Sequence, residues 1–372
     1  MKFAFFHLMP YTHTTVEPQD WPVANKAFDP EKGTELYKTY LDTLVYAEEC
    51  GFDWIGCNEH HMSPFGLMSN PNIIGAALIP RTSKAKLAIV GNLIPLVNPI
   101  RVAEEYAMLD VMSGGRLLAG MLRGIPHEYV AYNIAGDESR GRLIEAMALI
   151  RKAWTEPEPF GWEGEYYQFR AVSIWPRPRQ RPHPPIIMSG SNEASARLAG
   201  EMGATLGIAA VSDLKGAKKQ IEAYKDAARS AGWEPKPENV LIGMICHVAE
   251  SSSQAKEELE SGRQYFQKVL TGGVRTAQRL VLQKTRYYAA EDMVEFKDVR
   301  IRFGATVQEQ LDNGTMLCGT PEEVVEQIKA QHAELGYGVL NVNMKIGNLP
   351  DAAILKGMKL FSQRVMPKVR NL

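Results

Sequence analysis

The sequence predicts an α/β protein folded as one (β/α)8 barrel spanning residues 1–372 as a single domain. Three observations predict it. Eight short runs rich in Val, Ile and Leu recur along the chain, amphipathic segments separate them, and 372 residues is a length that such barrels fill as one unit. A parallel strand covered on both faces needs a continuous apolar run, and the segments between the runs supply the outer cover.

The first run, Phe3 to Phe6, reads as a buried strand. One positive charge precedes it and no small-residue cleavage site follows, so it does not resemble a secretory leader. Leu36, Tyr40, Leu44 and Ala47 then fall on one helical face, with Gly51 as the C-terminal cap. The next strands are Trp54 to Cys57 and Leu87 to Leu93. Pro99-Ile100-Arg101 opens a helix with Val102, Tyr106 and Leu109 as its buried stripe, and Gly114-Gly115 ends it. Strands follow at Leu117 to Met121, Ile186 to Met188, Thr205 to Ile208, Leu241 to Cys246 and Val339 to Val342. Thr320-Pro321-Glu322-Glu323 combines an N-cap, a proline at the first helical position and a capping-box glutamate. Val324, Ile328 and Leu335 continue that helix to Gly336, and Ile354, Met358, Phe361 and Val365 mark a last helix.

Two stretches are too long for ordinary connections and read as insertions, one after the fourth barrel helix and one after the seventh strand. Residues 155–185 hold Gly-Trp-Glu-Gly-Glu-Tyr-Tyr and a proline-rich tail, which predict a small strand pair and an extended wrap. Their aromatic segment, Trp162 to Phe169, is either an apolar wall for substrate or the insertion's own core. Residues 262–313 read either as a lid over the active site or as a pair of surface helices.

Composition narrows the function. With 42 basic and 43 acidic residues, the net charge of −1 gives no field to hold nucleic acid or an anionic membrane. No run of about twenty apolar residues suggests a membrane span. The four cysteines have no paired spacing, so neither a disulfide scaffold nor a zinc finger is expected, and a reducing cytoplasm fits. The chain lacks the phosphate-binding loop of nucleotide hydrolases, the G-x-G-x-x-G turn of dinucleotide folds and the G-x-S-x-G elbow of hydrolases. A small-molecule substrate remains.

Candidate site residues cluster at the expected C-terminal ends of the strands, where barrels collect their chemistry. Asn58-Glu59-His60-His61 closes the second strand, and a histidine there can exchange protons near neutral pH. Metal binding is disfavoured, because adjacent strand residues point to opposite faces and no further His or Cys has ligand spacing. Arg123 follows the fourth strand beside Gly124, at a rim where a guanidinium can grip a phosphate or pair with a carboxylate. The fifth strand ends in Ser189-Gly190-Ser191-Asn192 and runs straight into a helix. Such a turn is an anion site, although Ser and Asn also serve as plain N-caps.

Several motifs together resemble the bacterial luciferase-like family, most closely its α-subunit branch. They are Glu59-His60-His61, Phe65-Gly66-Leu67, Asn70-Pro71, the P-x-x-x-P-x-R of Pro95 to Arg101, Met112 to Arg116, Leu122-Arg123-Gly124, Gly319 to Glu323, and Met358 to Phe361 with Val365-Met366-Pro367. They span the chain in order. The resemblance implies an FMN-dependent monooxygenase that uses reduced flavin and O2. His60 would be the catalytic histidine, and Arg123 would hold the flavin phosphate with Ser189, Gly190, Ser191, Asn192 and Ser195. A non-prolyl cis peptide is implied near Val90-Gly91, beneath the flavin ring, with Asn92 beside it. Leu122 stands where the luciferase has a reactive cysteine, and Ser191 where it has a glutamate. NADPH or NADH would act directly or through a flavin reductase, and the assembly would be a homodimer joined by the helices after strands two and three. Two alternatives accompany this expectation: a deazaflavin-dependent hydride-transfer enzyme of the same superfamily, and a non-catalytic flavin carrier.

Overall fold

A computed structural model of the chain describes residues 1–14, 21–275 and 306–372. Its strands are β1 (Lys2–Phe6), β2 (Trp54–Cys57), β3 (Lys86–Leu93), β4 (Leu117–Leu122), β5 (Phe160–Glu163), β6 (Gln168–Val172), β7 (Ile186–Ser189), β8 (Thr205–Ile208), β9 (Val240–Val248), β10 (Met316–Gly319) and β11 (Val339–Asn343). Eight of them pair in parallel around a closed circuit, β1-β2-β3-β4-β7-β8-β9-β11 and back to β1. These are the eight strands expected, and the protein is a (β/α)8 barrel. Strand β10 was not expected. It lies outside the circuit and extends the far end of β9, with Met316 opposite Ile245 and Gly319 opposite Val248.

The helices named below are α1 (Pro30–Glu49), α2 (Pro71–Leu78), α3 (Pro99–Met112), α4 (Pro126–Ala131), α5 (Ser139–Thr155), α6 (Glu193–Glu201), α7 (Leu214–Ser230), α8 (Ser252–Tyr265), α9 (Val307–Asp312) and α10 (Pro321–Leu335). Local chemistry sets their ends. Asp29, Asn70 and Asn98 cap α1, α2 and α3, each followed by proline at the first helical position. Thr320 and Glu323 form the expected capping box of α10, and Gly336 ends it in the left-handed conformation at φ 60°.

Alternation along the strands divides the interior in two. Outward residues pack against the helices in one large apolar layer, while Ala4, Trp54, Ala88, Leu118, Ile187, Leu241 and Val339 fill the barrel floor. Two residues further up each strand the inward set includes Gly56 and Gly120, with no side chain to fill the space. The floor is plugged and the C-terminal mouth is left open for a ligand.

The insertion at 155–185 carries the expected strand pair, antiparallel β5 and β6. Glu145 of α5 anchors it by accepting hydrogen bonds from Trp162 Nε1 at 3.1 Å and from the Tyr166 and Tyr167 amides at 2.9 and 3.0 Å. In the second insertion, helix α8 leads into Phe266–Leu270, and α9 closes the stretch. Residues 276–305 of the expected lid lie outside the described residues.

Candidate active site

At the C-terminal mouth a cavity of about 380 Å³ opens between the ends of β2, β3, β4 and β7 and helices α4, α5 and α6. Of the expected site residues, His60, Leu122, Arg123, Ser189, Ser191, Asn192 and Ser195 line it. Gly190 instead lines an adjoining space of about 120 Å³ shared with the loop from Ala209 to Asp213. Val90 packs on the floor residues, and the Val90–Gly91 peptide is cis. The Asn92 side chain is buried and donates from Nδ2 to Asn72 Oδ1 at 3.0 Å. Neither Val90, Gly91 nor Asn92 is among the cavity-lining residues.

His60 lines the cavity and is held on both ring nitrogens. Nδ1 lies 2.9 Å from Glu128 Oε1, and Nε2 lies 2.9 Å from Asn58 Nδ2. The Glu128 side chain is fully buried, and its second oxygen, Oε2, accepts from the Ile125 amide at 2.8 Å. Phe65 packs edge-on against the imidazole, with centroids 4.6 Å apart. His61 makes different contacts, bonding to Glu59 Oε1 at 2.7 Å and to the Tyr132 hydroxyl at 3.1 Å. Glu59 Oε2 accepts from the Leu93 amide at 3.0 Å, tying the loop after β2 to the end of β3.

The same cavity carries groups suited to an anion. Arg123 from the end of β4 and Arg140 from α5 both line it, as do Ser191, Asn192 and Ser195 at the start of α6. Asn192 caps that helix reciprocally: Ser195 N donates to its Oδ1 at 2.9 Å, and its own amide donates to Ser195 Oγ at 3.1 Å. The capping role open to Asn192 and Ser195 is therefore realised, at the cavity wall. The amides of Glu193 and Ala194 have no acceptor within the helix, and the positive helix end points the same way. The rest of the lining includes the apolar Leu93, Met121, Leu122, Ile125 and Met188. Two guanidinium groups and a helix N-terminus in a cavity with apolar walls fit a ligand that carries both a phosphate and an apolar body.

Glu128 and Arg140 were not singled out in the sequence, and Asn58 was named with its motif but given no role. Glu128 lies 68 positions from His60, on a six-residue helix too short to show periodicity. Asn58, two residues before His60, and Arg140, beside an apolar stripe, carry no pattern of their own. Trp162 to Phe169, offered as a substrate wall, packs on α5, and none of its residues is among those lining the cavity.

Comparison with known proteins agrees with this fold. An alkanal monooxygenase alpha chain of Photorhabdus luminescens is 25% identical over 339 residues, covering 90% of this chain and 92% of the relative. The solved structure of monooxygenase RslO1 from Streptomyces bottropensis superposes with a TM-score of 0.75 at 26% identity, covering 99% of both chains. The fold is shared with the oxygenating constituent of 3,6-diketocamphane monooxygenase of Pseudomonas putida, solved in complex with FMN. There the TM-score is 0.76 at 21% identity, with 99% of this chain and 98% of that one covered. Residues 4–337 match the luciferase-like monooxygenase family, so the chain belongs to that family and is a flavin-dependent oxidoreductase.

Proposed function

We propose that the protein is an FMN-dependent monooxygenase that uses reduced flavin and O2 to insert one oxygen atom into a small apolar organic substrate. The observation that carries this is that one cavity is lined by Arg123, Arg140 and the start of α6 together with His60 and a set of apolar side chains. The first group would hold the phosphate through charge-assisted hydrogen bonds. Leu93, Met121, Leu122 and Met188 would exclude water, and His60 would hold or move a proton. Bound reduced flavin supplies the oxygen activation itself.

Reduced flavin would come from a separate reductase or from NADPH or NADH acting directly. The buried free thiols of Cys57, Cys246 and Cys318 suit a reducing cytoplasm, and the outward faces of α2 and α3 suit a homodimer. Arg123→Ala is expected to weaken FMN binding by roughly 1.5–3 kcal/mol, the scale of hydrogen bonds to charged groups. Riboflavin, which lacks the phosphate, should bind mutant and parent alike. Titration followed by flavin fluorescence measures both, and equal FMN affinity in mutant and parent would remove the phosphate assignment. Tight binding of a deazaflavin in place of FMN would favour hydride transfer.

A further inference from the structure

We propose that Glu128 and Asn58 are positioning residues that hold His60 as its Nδ1–H tautomer and leave Nε2 as the basic atom. This deepens the monooxygenase proposal and rests on it for its functional meaning. The argument is a count of donors and acceptors. Both Glu128 oxygens accept, Oε2 from the Ile125 amide and Oε1 in the contact with His60 Nδ1. A carboxylate has no proton to give, so Nδ1 must donate. At the opposite nitrogen Asn58 presents its Nδ2 donor, which needs a lone pair on Nε2. In the reverse tautomer a bare Nδ1 would face the Glu128 carboxylate, so Glu128 sets the tautomer and Asn58 matches it.

Asn58 also prepares for the protonated state. Its Oδ1 is buried and has no partner among the described residues. When His60 takes a proton at Nε2, the contact must become an acceptor, and turning the Asn58 amide over brings Oδ1 into place. The proton gained by His60 thus meets a hydrogen-bond acceptor on one side and the Glu128 carboxylate on the other.

Glu128→Gln breaks this arrangement in a defined way. The Ile125 amide keeps its claim on the side-chain oxygen, so the new amide nitrogen faces Nδ1 and favours the Nε2–H tautomer. Swapping carboxylate for amide beside a catalytic histidine has the same consequence in Ser-His-Asp triads. The imidazolium also loses its charged partner. Besides Glu128, the charged and titratable groups around His60 are Glu59 and His61 in its own loop, His127 from α4, and Arg123 and Arg140 of the cavity lining.

The test is the long-range proton–nitrogen spectrum of the full chain carrying 15N-labelled histidine, with His60 assigned by the signal lost in His60→Gln. At pH 8 the parent should show Nδ1 protonated and Nε2 bare, and Glu128→Gln should show the reverse. A parent His60 protonated at Nε2 overturns the proposal, as does a tautomer unchanged in Glu128→Gln. The parent spectrum decides the tautomer even where a variant does not fold. Since the spectrum needs neither flavin nor substrate, its outcome is independent of the Arg123→Ala titration, and either proposal can fail alone.

Discussion

His7 is a buried histidine outside the candidate site, and it ties stability to pH. Its Nδ1 accepts from the Met9 amide at 2.9 Å, while Nε2 has no partner among the described residues. Burial first, and the charge of Lys345 second, push its pKa down to about 3. It is therefore neutral in the fold but gains a proton in the unfolded chain below about 6.5, so stability is lost as pH falls through that value and down to about 3. The slope approaches ~1.4 kcal/mol per pH unit for each such group. His127, held down to about 4 chiefly by burial, adds to it in the upper part of the window. His7→Asn keeps an oxygen for the Met9 amide and removes the titration, so urea midpoints measured from pH 6 to pH 4 should fall less steeply than in the parent. Parallel slopes would show that His7 does not bind that proton on unfolding. At this scale the sequence was informative where a residue's place on a strand determines its role. His60 and Arg123 stand just past strand ends and both line the cavity. Glu128 was hidden because only tertiary packing brings it to His60.

The pairing of β3 with β4 shows what an element demands of its residues. Tyr106 of α3 spans the irregular stretch of β3 between Ile89 and Asn92, donating its hydroxyl to Gly120 O and accepting from the Asn92 amide. Backbones come so close here that a Cβ on Gly120 would lie 2.2 Å from Ile89 O and 2.8 Å from Val90 Cα. Neither atom belongs to a flexible side chain. Gly120→Ala is therefore expected to cost about 3 kcal/mol, at the upper end of ordinary overpacking. On β8 a Cβ at Gly207 would meet nothing nearer than 3.3 Å, so Gly207→Ala should cost less than half as much. Denaturant midpoints of the two variants would expose an error in this ranking. The eight barrel strands were legible because each is buried on both faces and so must be an unbroken apolar run. Strand β10 was not, since Met316 to Gly319 pairs with β9 alone and stands outside the strand–helix alternation by which the barrel strands were read.

For the molecule as a whole, a closed barrel leaves the helices to form most of the surface, and their outward sides should be polar unless something covers them. On α3 they are not: Met108, Val111 and Met112 are 48%, 44% and 56% exposed, at the i, i+3, i+4 spacing of one face. Ile73 on the adjacent α2 is 66% exposed. A second copy of the chain is the occupant that fits, because a two-fold axis lets one apolar patch bury itself against its own image. A net charge of −1 sets no long-range repulsion against that meeting. Sedimentation at micromolar concentration should give a dimer for the parent. Met108→Glu and Ile73→Glu should each shift it toward monomer, since a carboxylate in the middle of an apolar interface must be desolvated without a partner. The same substitutions should leave FMN binding intact, because neither residue lines the cavity. A parent that sediments only as monomer would end the homodimer proposal. A dimer indifferent to both substitutions would move the interface to another face of the barrel.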